Sequence, residues 1–184
     1  MKHPALTISA LSLLSLLSLS LLSSCSSSQP ALETVKNFRA ASYAGQWHEI
    51  ARLPNRFEKD LIAAKATYRS NENGSLSVLN QGLKADGERT QISGKARIVG
   101  EGKLKVRFSR FPANLFAGDY WILWINESYT KAIVGTPSRK FLWLLSKKPS
   151  TKTSDFSPAL TQIKEQGFQI ERLIDNPKRF NPAP

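Results

Sequence analysis

The 184 residues hold one cysteine, one methionine and two histidines. A lone cysteine excludes a disulfide within the chain, and with it the small exported scaffolds that depend on such bridges. Of the two histidines, only His48 lies beyond the first two dozen residues, and it sits in no cluster with metal-ligand spacing. No serine occupies a Gly-x-Ser-x-Gly turn, so the sequence signal of a hydrolase nucleophile is missing. Acidic residues are scarce, 14 against 26 Lys and Arg. Nor does any uninterrupted apolar run reach the ~20 residues that a membrane-crossing helix needs.

What stands at the front is a leader. Lys2 and His3 precede the uncharged run ALTISALSLLSLLSLSLL, which serine interrupts every few positions, and small residues follow. A basic start, an apolar middle and a small-residue end describe a secretory signal over residues 1–24. Leu22-Ser23-Ser24-Cys25 resembles the lipobox of bacterial lipoproteins, in which the cysteine is acylated and becomes the first residue. That resemblance accounts for a solitary thiol in a Ser-rich stretch with no apolar partners. It implies membrane attachment through Cys25, and Ser26 after it implies sorting to the bacterial outer membrane.

Removing residues 1–24 leaves 184 − 24 = 160 residues, enough for one domain with a substantial core. Residues 25–40 read as the lipidated cysteine and a tether, 41–176 as the domain, and 177–184 as a Pro-rich tail. With Lys2 gone, 26 − 1 = 25 basic residues face 14 acidic ones, a formal charge of +11. Such a surplus attracts anionic lipid, an anionic ligand or nucleic acid. Export and the scatter of cations over outward strand positions exclude nucleic acid as the partner, since a single-strand platform gathers them with exposed aromatics.

From Gly45 onward the apolar pattern has period two. In QISGKARIVG, Ile92, Gly94, Ala96 and Ile98 share one face; in KLKVRFSR, Leu104, Val106 and Phe108 do; in SLSVLNQGL, Leu76, Val78 and Asn80 do. Segments YWILWINES and FLWLLSK are apolar on both faces and need covering outside as well as inside. SPALTQIKEQG supplies a cover, an amphipathic helix with Ser157 as N-cap, Pro158 at its first position and Gly167 as its stop. FQIERL reads as a short last strand. Eight strands, near residues 45–52, 64–70, 75–83, 89–99, 103–110, 119–127, 130–136 and 141–147, with short turns, indicate a sandwich or an up-and-down barrel. Small inward residues such as Ala64, Ala66, Gly94 and Ala96 leave room inside a barrel of that size.

The stretch YAGQWHEIARLPNRFEK, followed by ATYRSNENGSLSVLNQG, ISGKA, LKVRFSRF, AIVGTP and FLWLLSKKP, resembles the lipocalins, in particular the bacterial lipocalin and apolipoprotein D branch. The resemblance covers nearly all of the chain after the leader. It implies an all-β fold, an eight-stranded antiparallel up-and-down barrel with one C-terminal α-helix packed outside. It implies that Trp47, after Gly45, closes one end of the barrel with a basic side chain lying across its ring. Lys147 stands where the family usually has arginine, and Asn126 where it usually has aspartate. Positions matching Tyr68, Asn80, Trp121 and Trp143 are implied to line a pocket.

Parity places Tyr68 and Asn80 inward; for Trp121 and Trp143 it does not decide. Val78, Ala96, Val106 and Phe108 join the wall by the same alternation. Glu49 shares the inward parity of Trp47 and Ala51, and a carboxylate there needs a partner that the sequence does not name. Arg52, Arg56, Lys59 and Lys84 are candidates to meet an acidic headgroup at the mouth.

Two functional classes follow. A binder would hold a fatty acid or lysophospholipid in the cup, needing no metal or other cofactor. An enzyme on a lipophilic substrate is poorly supplied, because His48 faces outward and Glu49 is the one acid with clear inward parity. A filled, purely structural barrel is a third reading. A homodimer through the apolar outer faces of the sixth and eighth strands is left open.

Overall fold

The computed structural model describes residues 30–110, 115–177 and 180. The leader, Cys25 and most of the 177–184 tail therefore lie outside the described residues.

A single turn of helix, α1 (Ala40–Tyr43), leads into β1 (Gly45–Arg52). Seven further strands follow: β2 (Leu61–Ser70), β3 (Leu76–Lys84), β4 (Arg89–Gly100), β5 (Lys103–Phe108), β6 (Gly118–Ile125), β7 (Lys131–Gly135) and β8 (Leu142–Ser146). Each pairs antiparallel with the next. Closure falls to β1, which pairs with β8 on one edge and with β2 on the other, from Gly45↔Tyr68 to His48↔Lys65. The eight-stranded up-and-down barrel that the resemblance implies, one of the two architectures the pattern left open, is thus formed, with strand bounds within a few residues of the expectation.

Alternation sends side chains to two apolar cores. The inner one gathers Trp47, Leu76, Val78, Leu104, Ile122 and Leu145. The outer one packs Ile50, Leu123, Ile133, Leu142 and Leu144 against the helix side. There α2 (Ser157–Glu165) brings Ile163, and the flanking Phe156 and Phe168 are buried beside it. Burying side chains of that size contributes about 1.5–3 kcal/mol each, which explains why two strands are apolar on both faces. The same cover packs on the outer faces of β6 and β8, where Trp121 and Trp124 stay half-buried.

Local details correct three expectations. Ser157 is the first helical residue rather than the cap, and its hydroxyl donates to Ser154 O at 2.7 Å. Gly167 ends the helix with φ +90°. FQIERL is not a strand: Phe168 turns into the outer core and Ile170–Arg172 forms a 3-10 turn. The short β9 (Ile174–Asp175) comes later and pairs with Ala51 and Arg52, beyond the His48 end of the β1–β2 ladder. The tether and tail were drawn too long, because Leu32 is buried in the outer core, Val35 and Phe38 pack on the inner one, and Phe180 is buried beneath Lys65 and Arg89.

Between Glu49 and Ala51 the β1–β8 register slips, with Ile50 as the extra residue of a bulge. A bulge places two residues opposite one and shifts the alternation. Trp47 and Glu49 point inward as expected, but Ala51, opposite Leu144, packs in the outer core. Arg52, opposite Trp143, takes the inward phase instead.

Candidate functional site

The closed end is built on Trp47. Its indole is fully buried, donates from Nε1 to Tyr43 O at 2.8 Å, and stacks with the Tyr43 ring at 4.7 Å. Lys147 Nζ lies 5.1 Å from the ring centroid and donates to Ser42 O at 3.0 Å and Ala44 O at 2.8 Å. Burial lowers the Lys147 pKa. Gly45, at φ +112°, lets the chain turn into β1 beside this lysine. One cation thereby holds α1, the start of β1 and the end of β8 together.

Above the plug three phenols meet. Tyr43 and Tyr120 hydroxyls are 2.7 Å apart, and Tyr68 donates to Tyr120 at 2.9 Å. Burial is the main reason that all three phenol pKa values are raised, so the groups stay neutral. Three hydroxyl protons serve two contacts. Among the described residues that leaves one O–H uncommitted.

Tyr120 was missed by the sequence reading, which took its neighbour Trp121. Cross-strand register separates them: Tyr120 stands opposite inward Leu104, whereas Trp121 stands opposite outward Lys103. Lys103 Nζ lies 4.5 Å over the Trp121 ring, and Trp121 packs on the outer core. Trp121 is therefore an outer-wall residue and no part of the inner surface.

The remaining wall follows parity. Val78, Ala96 and Val106 are buried in the inner core, with Phe108 and Trp143 packed against it. Asn80, between Ala66 and Ile92, is half-buried, and among the described residues its Oδ1 has no hydrogen-bond partner. Gly94 has room for no side chain: a Cβ would come within 2.8 Å of Arg107 O and 2.9 Å of Phe108. The glycine keeps the Phe108 ring against the wall.

At the open end a polar network binds the β1–β2 loop. Arg52 Nη1 donates to Glu49 Oε1 at 3.0 Å, and its Nη2 to the carbonyls of Glu58 at 2.7 Å and Leu61 at 3.3 Å. Arg52 Nη1 also donates to Asn176 Oδ1, while Asn176 Nδ2 donates to Glu49 Oε1 and Glu49 O. Glu58 Oε2 accepts from Asn55 Nδ2 at 2.6 Å and from Trp143 Nε1 at 2.9 Å. Burial, then the nearby Glu58 charge, push the Glu49 pKa well up, and Arg52 opposes them. Arg52 is thus no free mouth cation. It is 3% exposed and is the missing partner of Glu49.

Among the described residues no group of three or more His, Cys, Asp or Glu is placed to hold a metal ion. The inner surface of the barrel carries apolar side chains and a few hydrogen-bonding groups.

A lipocalin-like domain model matches residues 38–178. The chain belongs to the lipocalin family. Temperature-induced lipocalin-1 of Arabidopsis thaliana is 35% identical over 83% of this chain and 89% of its own length. The outer membrane lipoprotein Blc of Vibrio cholerae is 35% identical over 82% and 88%. Among solved structures, insecticyanin from the tobacco hornworm Manduca sexta superposes with a TM-score of 0.62 at 22% identity, covering 80% of this chain and 84% of that one. The two relatives place the lipocalin in the Blc and apolipoprotein D branch of the family.

Proposed function

We propose that this lipocalin is anchored by acylated Cys25 to the bacterial outer membrane and holds a fatty acid or lysophospholipid in its barrel, for storage or transfer within the envelope. The observation that carries the reading is the inner wall. Its apolar members Val78, Ala96, Val106, Phe108 and Trp143 converge with few polar atoms, as ligand sites do. Beside them the Asn80 Oδ1 has no hydrogen-bond partner among the described residues, and Asn80 with its inward neighbours Ala66 and Ile92 keeps partial exposure at mid-strand. Burial of an acyl chain against such a wall contributes about 25 cal/mol per Å² of apolar area. The lipobox-like Leu-Ser-Ser-Cys25 and the relatives named outer membrane lipoproteins support the location.

Titration of the Cys25→Ser protein with lysophospholipid, followed by tryptophan fluorescence, tests the cargo. One saturable site per barrel is expected, weakened about tenfold by Trp143→Ala or Asn80→Leu, the equivalent of one lost hydrogen bond or contact set of ~1.4 kcal/mol. Non-saturable curves, or the same curve for all three proteins, would remove the site from this wall.

A further inference from the structure

The segment that leads back to Cys25 leaves the barrel at its open end. Thr34 Oγ1 donates to Glu101 O in the β4–β5 turn, which belongs to the closed end. Glu33 N donates to Gln166 Oε1 at the end of α2, and Pro30 O accepts from Arg139 Nη2. Arg139 lies in the β7–β8 turn, on the rim of the mouth. Traced backward from Thr34 to Pro30, the chain climbs the outer wall from the closed end to the open one. Cys25 follows five positions further on. Five residues span at most about 17 Å.

Three large apolar side chains are exposed at that same end. Phe57 on the β1–β2 loop is 67% exposed, and Leu115 and Phe116, just before β6, are 56% and 74% exposed. Cations accompany them: the Arg56 guanidinium lies 4.9 Å over the Phe57 ring, and Lys59 of the same loop and Lys140 of the β7–β8 turn are exposed. Exposed apolar groups ringed by basic ones match the boundary between headgroups and acyl chains of an anionic bilayer. An aromatic track runs inward from them. Phe57 stacks on Phe141 at 5.8 Å, and Phe141 on Trp143 of the inner wall at 5.9 Å.

We propose that the mouth of the barrel docks on the anionic phospholipid bilayer that holds the acylated Cys25, with Phe57, Leu115 and Phe116 at the acyl boundary and Arg56, Lys59 and Lys140 among the phosphates. The proposal rests on the lipid-anchored carrier reading above. An acyl chain then passes between bilayer and barrel along Phe57, Phe141 and Trp143 without crossing water. A short tether and a greasy rim act together, since one lipid-attached segment alone leaves orientation free.

Full-length acylated protein in vesicles of phosphatidylglycerol and phosphatidylethanolamine supplies the test. With Cys25 acylated, an environment-sensitive dye attaches at Ala117→Cys beside the mouth or at Glu72→Cys in the closed-end β2–β3 turn. The dye at 117 is expected to shift to the blue and to lose most of its intensity to lipids spin-labelled near the headgroup. The dye at 72 stays solvent-like, and Phe57→Ser with Phe116→Ser removes the shift at 117.

Quenching at 72 rather than 117, or at neither, overturns the proposal, as does a second dye per chain on Cys25. Saturable lysophospholipid binding with no contact at 117 overturns the orientation alone. Contact at 117 without saturable binding overturns the carrier reading and leaves the orientation standing.

Discussion

Trp143 of the inner wall donates its indole N–H to the Glu58 carboxylate at 2.9 Å, joining the barrel interior to the loop that rims its mouth. Asn55 Oδ1 organises the same loop by accepting from Phe57 N at 3.0 Å and Glu58 N at 3.1 Å. A hydrogen bond to a charged acceptor contributes about 1.5–3 kcal/mol when desolvated. Weakening of this one by Glu58→Gln, which keeps an acceptor but not the charge, or its loss by Trp143→Phe, is expected to loosen the loop while the barrel stays folded. Stopped-flow release of a fluorescent fatty acid should accelerate roughly tenfold, in line with ~1.4 kcal/mol of lost restraint. Unchanged release rates would show that the loop does not hold the ligand in.

Glu49 makes stability depend on pH. Burial and Glu58 raise its pKa above the ordinary 4.5, so the folded protein holds that proton more tightly than the unfolded chain. The contribution is complete below about pH 4.5, where both states are protonated, and declines as pH rises through the raised folded value. Glu49→Gln keeps the neutral form at every pH. The difference in thermal midpoint between Glu49→Gln and the parent should therefore grow in favour of the variant as pH rises from 4.5 to 8. Arg52→Leu is expected to cost about 3–5 kcal/mol, because it leaves the buried Glu49 and the half-buried Glu58 without their shared cation.

Much of this was legible in the sequence. Period-two alternation placed Tyr68, Val78, Asn80, Ala96, Val106 and Phe108 on one surface, since β2 to β5 each have one polar face and one apolar face over those positions. It failed in β6, where both faces are apolar and parity carries no sign; the register with β5, which opposes Lys103 to Trp121, would have chosen Tyr120. It failed again at Arg52, because a bulge at Ile50 leaves no local mark in HEIAR and inverts everything after it. Glu49 was therefore left without a partner three residues away, and Arg52 was read as a headgroup ligand. Asn176, which completes their network from 127 residues further along the chain, offered no sequence signal at all.

Asn80 sets stability against binding. Its buried Oδ1 has no partner among the described residues, and an unsatisfied acceptor costs about 1–3 kcal/mol. Asn80→Leu removes that cost and adds apolar surface beside Ala66 and Ile92. The variant is expected to be more stable by about 1 kcal/mol, near 2–4 °C in the thermal midpoint for a domain of this size. A variant that is less stable as well as weaker in binding would mean that Asn80 serves the fold rather than a ligand.

Lys147 offers the sharpest test of the closed end. Its ammonium has two carbonyl partners and the Trp47 ring, and among the described residues no other cation faces that ring. Lys147→Met keeps an unbranched chain one atom shorter and removes the charge. Two charge-assisted bonds and one cation–π contact then go together, at an expected cost of about 2–4 kcal/mol in urea unfolding. Lys147→Arg separates charge from shape. A guanidinium is planar and stacks on an indole better than an ammonium, but its rigid fork must still reach both Ser42 O and Ala44 O. If stacking dominates, the arginine variant matches or exceeds the parent. If the two carbonyl bonds dominate, it falls between parent and methionine, because the fork cannot satisfy both while lying flat on the ring. Either ranking keeps the clamp; equal stability of Lys147→Met and the parent would show that Trp47 is held by Tyr43 and burial alone.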